Sequence, residues 1–334
     1  MKLKLALLTS ALGLSSAAAQ EIVTPDTYIR AEVDMTFAQF QTNAGSDVNR
    51  FYYIRKPTPL NAQAVVRMNR DTLYAGSVVD TAGGATITIP EFPDDRYFSI
   101  LVIDNDHYAP VVFYEPGTYD IPGDTKYVSL IMRIQIMDPS DPEDVALVNR
   151  MQNQFVIEAT SHDLFPDPQW DVESMLALRS GYEVTFQQFD QYEPDWMGPR
   201  GEVNEDTRHL AVAGAWGLFP EKDAVYINYT GPGVVDGCYT ATYDVPPNDA
   251  FWSITVYGAD GFMKSDSNTV NDRNVTLNAD GTFTVHFGSE ADCGAQANRV
   301  DIEDGWNFLM RVYRPGAAVL ERTYKLPEVG KVAR

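Results

Sequence analysis

The sequence predicts a mainly β protein: two tandem, jelly-roll-like β-sandwich halves from an internal duplication, joined by a helical connector. Three observations predict it. Aromatic residues make up 12% of the chain, and such residues favour a pleated, half-buried surface. Short β-branched and aromatic runs recur between Gly, Pro and Asn/Asp turn signals, the pattern of sandwiches and jelly rolls. Finally, four blocks of sequence occur twice in the same order, which marks a repeat architecture.

The longest block runs Pro93-Asp94-Asp95-Arg96-Tyr97-Phe98-Ser99-Ile100-Leu101-Val102. Its counterpart runs Pro247-Asn248-Asp249-Ala250-Phe251-Trp252-Ser253-Ile254-Thr255-Val256, with five of ten positions identical. Thr86-Ile87-Thr88 and Thr240-Ala241-Thr242 precede the two copies at the same offset. Arg70-Asp71-Thr72-Leu73-Tyr74 matches Lys222-Asp223-Ala224-Val225-Tyr226, and Met132-Arg133-Ile134 matches Met310-Arg311-Val312.

Residues 1–19 read as a secretory signal peptide: Lys2 and Lys4, an apolar run from Leu5 to Leu14, then Ala17, Ala18 and Ala19. The run is short of the ~20 residues that span a bilayer. Cleavage after Ala19 and a periplasmic or secreted, soluble product are expected. Residues 20–63 form an N-terminal helical segment, in which Thr24-Pro25-Asp26 starts a helix carrying Tyr28, Ala31, Met35 and Phe40 on one face. Residues 64–139 make the first β-sandwich domain, with strands at Thr86 to Ile89 and Tyr97 to Ile103.

Residues 140–218 form the helical connector. Asp141-Pro142-Glu143-Asp144 opens a helix with Val145, Val148, Met151 and Phe155 at helical spacing. Another runs from Val172 to about Phe189 behind Asp171 as N-cap. Residues 219–334 make the second β-sandwich domain. There Asn274 to Leu277 and Thr282 to Phe287 flank Asn278-Ala279-Asp280-Gly281, an Asp-Gly hairpin signal. Alternation puts Val275 and Leu277, with Phe283, Val285 and Phe287, on one face. No flexible linker separates the halves, so they are expected to pack together.

The formal net charge is −22, and two units more negative once Lys2 and Lys4 leave with the signal peptide. Such a chain repels nucleic acid and anionic lipid, which leaves a small neutral or cationic ligand as the easier partner. The two cysteines, Cys238 and Cys293, suit a disulfide in an oxidising compartment. Neither has a second Cys or His at metal-ligand spacing.

Val65-Val66-Arg67-Met68-Asn69-Arg70-Asp71-Thr72-Leu73-Tyr74 in the first half resembles the first module of proteins with tandem domains of unknown function 1254 and 1214. Ala250-Phe251-Trp252-Ser253-Ile254-Thr255-Val256-Tyr257 and Leu309-Met310-Arg311-Val312-Tyr313-Arg314-Pro315 resemble the second. The closing segment from Tyr324 to Val329 fits as well. The resemblance implies a mostly β, two-domain architecture, often exported, with no settled activity. One stretch departs from it: Asn298-Arg299-Val300-Asp301 stands where such proteins carry an Asn-Trp-Leu-Pro-like segment.

Familiar catalytic signatures are absent, including Gly-x-Ser-x-Gly, His-Glu-x-x-His and Gly-rich phosphate loops. The repeat sorts the remaining polar residues. Asp71 and Asp223, like Arg133 and Arg311, recur in both halves, so they are expected to be architectural, an Arg–Asp pair bracing two strands. Tyr74, Tyr226, Phe98 and Trp252 are expected in the core. Function is expected where the halves differ. Asp104-Asn105-Asp106-His107-Tyr108 stands where the second half has Gly258-Ala259-Asp260-Gly261-Phe262. Asp104, Asp106 and His107 are the candidate catalytic groups, since neighbouring carboxylates push one pKa up and separate an acid from a base. Arg67, Asn69, Arg70 and Tyr108 are the candidate ligand binders. No cofactor is implied, although hard oxygen ligands in the Asp104–Asp106 turn could take Ca²⁺. Asp138-Pro139-Ser140-Asp141-Pro142-Glu143-Asp144 lacks the Gly of a Ca²⁺ loop and reads as helix capping.

These features favour a binding or interaction protein of the cell envelope, with any small-molecule site near the junction of the halves. Two alternatives stand beside it. One is a hydrolase or lyase acting on a sugar-like or ester substrate through the Asp/His turn. The other is a self-assembling structural β-sandwich protein, which would form a homo-oligomer.

Overall fold

Two kinds of strand build the protein, and burial separates them. In the first half, the computed structural model places β1 (Tyr52–Tyr53), β2 (Thr72–Asp80), β3 (Ala85–Ile89), β4 (Phe98–Asp104), β5 (Val112–Phe113), β6 (Gly117–Asp120) and β7 (Tyr127–Gln135). It describes residues 20–63, 66–93 and 95–333, so the expected signal peptide lies outside the described residues, as do Val65 and Asp94 of the quoted blocks. β4 and β7 are covered on both faces, and β2 nearly so, whereas β3 buries every second residue. A strand that alternates has one face in water, and a strand buried throughout is sandwiched between layers.

The connector follows with α2 (Pro142–Gln152), β8 (Val156–Ala159), α3 (Val172–Phe186) and α4 (His209–Gly214), while α1 (Tyr28–Asn43) precedes the first half. The second half contains β9 (Ala224–Thr230), β10 (Tyr239–Tyr243), β11 (Trp252–Tyr257), β12 (Thr269–Asn271) and β13 (Phe283–Phe287). It closes with α5 (Glu290–Cys293), β14 (Arg299–Val300), β15 (Asn307–Tyr313), α6 (Ala317–Leu320) and β16 (Gly330–Lys331). β11 and β15 are buried throughout, and β13 alternates.

The first half pairs a sheet ordered β1-β2-β7-β4-β5 with one ordered β6-β3-β8, and the second pairs β9-β15-β11-β12 with β14-β13-β10-β16. Apart from β1 and β14, the orders correspond strand for strand. Register corresponds too. Arg133 lies between Tyr74 and Ser99, and Arg311 lies between Tyr226 and Ser253. Even the outer threonines match: Thr88 meets Thr118 at 2.9 Å and Thr242 meets Thr284 at 2.8 Å.

Each half has its own core. Leu73, Ile100, Val102, Met132 and Ile134 face Ile87 in the first, and Ile254, Val256, Met310 and Val312 face Phe283, Val285 and Phe287 in the second. A third core explains the double burial of the large sheets. Tyr97, Leu101, Ile103 and Ile131 on the back of the first sheet join Ala224, Phe251 and Tyr313 on the back of the second, with Phe186, Trp196 and Leu210 from the connector and Phe219 just after it. Each fully buried aromatic contributes ~1.5–3 kcal/mol of hydrophobic stabilisation.

The connector helices follow their signals, whereas α1 starts at Tyr28 behind Thr27, which makes no side-chain cap hydrogen bond, and not at Thr24-Pro25-Asp26. Asp141 accepts from the Glu143 N–H at 2.9 Å and starts α2, which sends Val148 and Met151 into the first core. Asp171 accepts from the Ser174 N–H at 2.8 Å and starts α3. Both helices stop short of expectation, α2 at Gln152 before Phe155 and α3 at Phe186 before Phe189, and two strands differ as well. Val156–Ala159, within the connector, is a strand that pairs with β3. Asn274 to Leu277 is not a strand, and Leu277 is 51% exposed. Thr276 within it bonds a side chain instead: Asn298 accepts from the Thr276 N–H at 2.7 Å and donates to the Thr276 carbonyl at 2.8 Å. The departing segment at Asn298 therefore ties this loop down.

Cys238 and Cys293 form the expected disulfide, 55 residues apart in sequence. It fastens the start of β10 to α5 beside Gly288, where an added Cβ would lie 2.7 Å from the Cys293 Sγ. Only glycine leaves room for the sulfur. No helix among the described residues is long and apolar enough to cross a membrane.

Candidate functional site

Asp104 ends β4 inside the protein, 1% exposed. One carboxylate oxygen accepts the N–H groups of Asp106 at 2.9 Å and Tyr108 at 2.8 Å, which folds residues 104–108 into a turn with His107 at φ +63°. Burial raises the Asp104 pKa, and the Asp106 charge adds to the rise. Asp106 pairs with Arg30 and, at 2.6 Å, with Arg200. Burial, helped by the nearby Arg208, drives the His107 pKa down to about 3, so its ring is neutral. Neither ring nitrogen has a hydrogen-bond partner among the described residues. Tyr108 donates to Glu205 at 2.6 Å and lies between the guanidinium groups of Arg200 and Arg208, 4.1 and 4.2 Å from its ring centre. The polar groups of the turn are thus largely occupied by one another and by residues of α1 and the connector.

The Arg67–Arg70 segment lies at the other end of the sheet, ahead of Thr72, which pairs with Gln135. The length of β4 separates the two groups by roughly 20 Å, at ~3.3 Å per residue. They form no common site. Arg67 adopts φ +54°, so strand alternation does not apply to it. Its N–H donates to the Gly261 carbonyl at 2.9 Å, and its guanidinium to Asn228 at 2.9 Å. Met68 packs with Tyr257, Met263 and Leu309. Asn69, buried, donates to Tyr74 at 2.9 Å and Tyr313 at 3.3 Å. Three of these four residues wedge the halves together, and the fourth, Arg70, reaches an open groove.

The repeated arginines correct the expected Arg–Asp brace. Arg311 donates to the Arg67 carbonyl and to Tyr257, each at 2.7 Å, and to Thr255 at 3.2 Å. Arg133 donates to the Gly217 carbonyl at 3.1 Å and lies 4.2 Å from the Phe219 ring centre. The aspartates bond elsewhere: Asp71 accepts from Asn271 at 2.9 Å and Asp223 from Tyr114 at 2.9 Å. Strand geometry explains why. Asp223 stands three residues before Tyr226, the neighbour of Arg311, hence ~10 Å along the strand.

The groove at Arg70 has a volume of about 700 Å³ and is lined by Arg70 and three further stretches of chain. Arg55, Lys56, Pro57, Pro59 and Leu60 form one wall; Pro139, Pro142, Val145, Ala146 and Asn149 at the start of α2 form the second; Asp266 of the second half closes it. Arg55 donates to the Asn149 carbonyl at 3.0 Å, to Gln152 at 3.0 Å and to Asn153 at 2.6 Å, and its guanidinium sits 3.7 Å from the Tyr53 ring centre. Arg70 pairs with Asp266 at 2.6 Å. The acidic 138–144 stretch is occupied with capping: Asp138 accepts from Ser140 at 2.8 Å and Asp144 pairs with Arg96 at 2.9 Å. Sequence reasoning did not select Arg55 and Lys56. Their signal was there, two adjacent cations before Pro57 and Pro59 in an acidic chain.

A second cavity, about 290 Å³, lies beside Asn105 and is lined by Arg30, Asp34, Tyr127, Phe165 and Trp170 among others. Within it Asp34 accepts from Asn105 at 2.8 Å and from Trp170 at 3.0 Å. Among the described residues no group of three or more His, Cys, Asp or Glu is arranged to hold a metal ion.

Fold and junction together define a class: a mainly β protein of two like-ordered, two-sheet halves, sealed back to back, with an open groove at one end of the seam. Within that class the chain carries two domains of unknown function in tandem. Residues 48–110 match the Protein of unknown function (DUF1254), and residues 236–317 match the Protein of unknown function (DUF1214). Arg55, Lys56 and Arg70 fall in the first, and Asp266 in the second. None of the curated proteins matches the chain. Among solved structures, the VPA0106 protein from Vibrio parahaemolyticus is similar, with a TM-score of 0.68 and 18% identity, over 92% of this chain and 98% of that one. An uncharacterised protein from Burkholderia cenocepacia is also similar, with a TM-score of 0.54 and 15% identity, over 87% and 85% of the two chains. At such identities the likeness is one of fold.

Proposed function

We propose that this is an exported binding protein of the cell envelope, whose small-molecule site is the groove between the 55–60 wall, the start of α2 and Asp266. The groove itself carries the reading. At about 700 Å³ it falls in the usual range for ligand pockets, and it lies where two domains meet, a preferred place for them. Four of its lining residues are prolines, whose fixed φ makes the walls rigid before any ligand arrives. The Asp/His turn gives little support to a hydrolytic reading, because its carboxylates already accept internal N–H and guanidinium donors.

A thermal-shift screen of the purified chain against metabolite-sized compounds tests this reading, with Ala146→Trp as the blocked control. A true ligand at about one hundred times its Kd adds ~2.7 kcal/mol, a Tm rise of several degrees. That rise should vanish in Ala146→Trp. Ligands that stabilise both proteins equally would place the site elsewhere and end the proposal. Export is checked separately: the chain recovered from the cell envelope should begin at Gln20.

A further inference from the structure

The groove inverts the charge of the molecule that contains it. The whole chain has 25 Lys and Arg against 47 Asp and Glu, whereas the groove is lined by Arg55, Lys56 and Arg70 against one acid, Asp266. That acid is a weak neutraliser. Its side chain is 78% exposed while that of Arg70 is 20% exposed, and exposed pairs contribute little. Arg70 also keeps a buried Nε without a hydrogen-bond partner. Arg55 is fixed by three neutral acceptors and an aromatic ring, so its charge is positioned without being cancelled. Lys56 is exposed and makes no ion pair among the described residues. Between these cations the wall is proline, leucine and valine, and proline offers no N–H.

From this arrangement we infer that the groove takes an amphipathic organic anion, a carboxylate or phosphate head on an apolar body, gripped by Arg70 and Lys56 beside a prepositioned Arg55. The inference rests on the groove being the ligand site. It replaces the neutral or cationic ligand that net charge alone suggests. An anion approaching a chain this acidic is repelled at long range, so the groove selects for molecules whose apolar body adds enough burial to overcome that barrier. Asp266 acts as a movable lid on the Arg70 charge, displaced when a stronger oxyanion arrives.

Isothermal titration with octanoate, octyl phosphate, octanamide and octylamine provides the test, using wild type, Lys56→Ala, Asp266→Asn and Ala146→Trp. Octanoate or octyl phosphate should bind at least about tenfold tighter than the amide and the amine, and the better of the two names the head group. Lys56→Ala should weaken that binding about tenfold, the size of one charge-assisted contact, and higher salt should weaken it further. Asp266→Asn, which frees Arg70, should tighten it severalfold. Ala146→Trp should abolish it. Equal binding of amide or amine, abolished by Ala146→Trp, would overturn the anion while leaving the groove as the site. Anion binding that survives Ala146→Trp would overturn the groove itself. Binding by none of the four removes the inference and returns the groove to other ligand classes.

Discussion

Arg311 has three hydrogen-bonded oxygens around it, two of them at 2.7 Å, while its counterpart Arg133 has the Gly217 carbonyl and the Phe219 face. Removing Arg311 leaves several buried acceptors unsatisfied, each at ~1–3 kcal/mol. Removing Arg133 strands one buried carbonyl while relieving the desolvation cost of a buried charge that has no ion-pair partner among the described residues, so the two effects offset. Arg311→Met is therefore expected to cost ~3 kcal/mol and Arg133→Met ~1 kcal/mol or less, read from urea midpoints. Equal costs would mean that aromatic packing, rather than hydrogen bonding, holds both. His107 makes a pH prediction with a definite sign. Its folded pKa of about 3 lies below the ordinary 6.5, so the unfolded chain binds the proton better. Its contribution is present above pH 6.5 and is lost as pH falls toward 3, by up to ~1.4 kcal/mol per unit. Asp104, raised by burial, works oppositely, favouring the fold at low pH and losing that contribution as pH rises through its folded pKa. It is common to wild type and variant. His107→Asn, which tolerates the positive φ, should therefore lose less stability than wild type between pH 6.5 and 4.5, with no divergence above 6.5.

Among elements, the disulfide has the clearest energetic meaning. Its 55-residue separation corresponds to ~4 kcal/mol of loop-closure entropy, and it pins the start of β10 to α5 at the rim of the second sandwich. Cys238→Ala with Cys293→Ala should lower unfolding free energy by ~2–4 kcal/mol in urea titrations, and an unchanged midpoint would show that the loop stays ordered when open. Elements with local signals were legible in the sequence: Asp141 and Asp171 start the helices expected of them, and the two copies of the Ser-Ile block became β4 and β11. The arm at Asn274 to Leu277 was not legible, because its partner is the side chain of Asn298, over twenty residues away, and no periodicity reports that. β8 was missed for a similar reason. Four residues long, it owes its strand state to pairing with β3 rather than to any pattern of its own.

For the whole molecule, the repeat predicted which strands correspond, since that depends on short contiguous blocks, while their common register came from the pairing itself. The site was harder to read. The Asp104–Tyr108 turn looked like a crowd of free catalytic groups until Arg30, Arg200 and Arg208 arrived from distant stretches to occupy it. The groove joins residues 55–60, 139–149 and 266, so none of its walls stands out alone in the sequence. The seam where both large sheets hide their backs also bears on how the chain is made. The first half leaves the ribosome with Tyr97, Leu101, Ile103 and Ile131 wet on one side, and nothing dries that side fully until β15 has been synthesised some two hundred residues later. Nascent chains must carry a bare, mostly aliphatic face for that interval, an invitation to aggregate, so folding of this protein should depend on a holding factor or on early docking of α3 and α4 as a temporary cover.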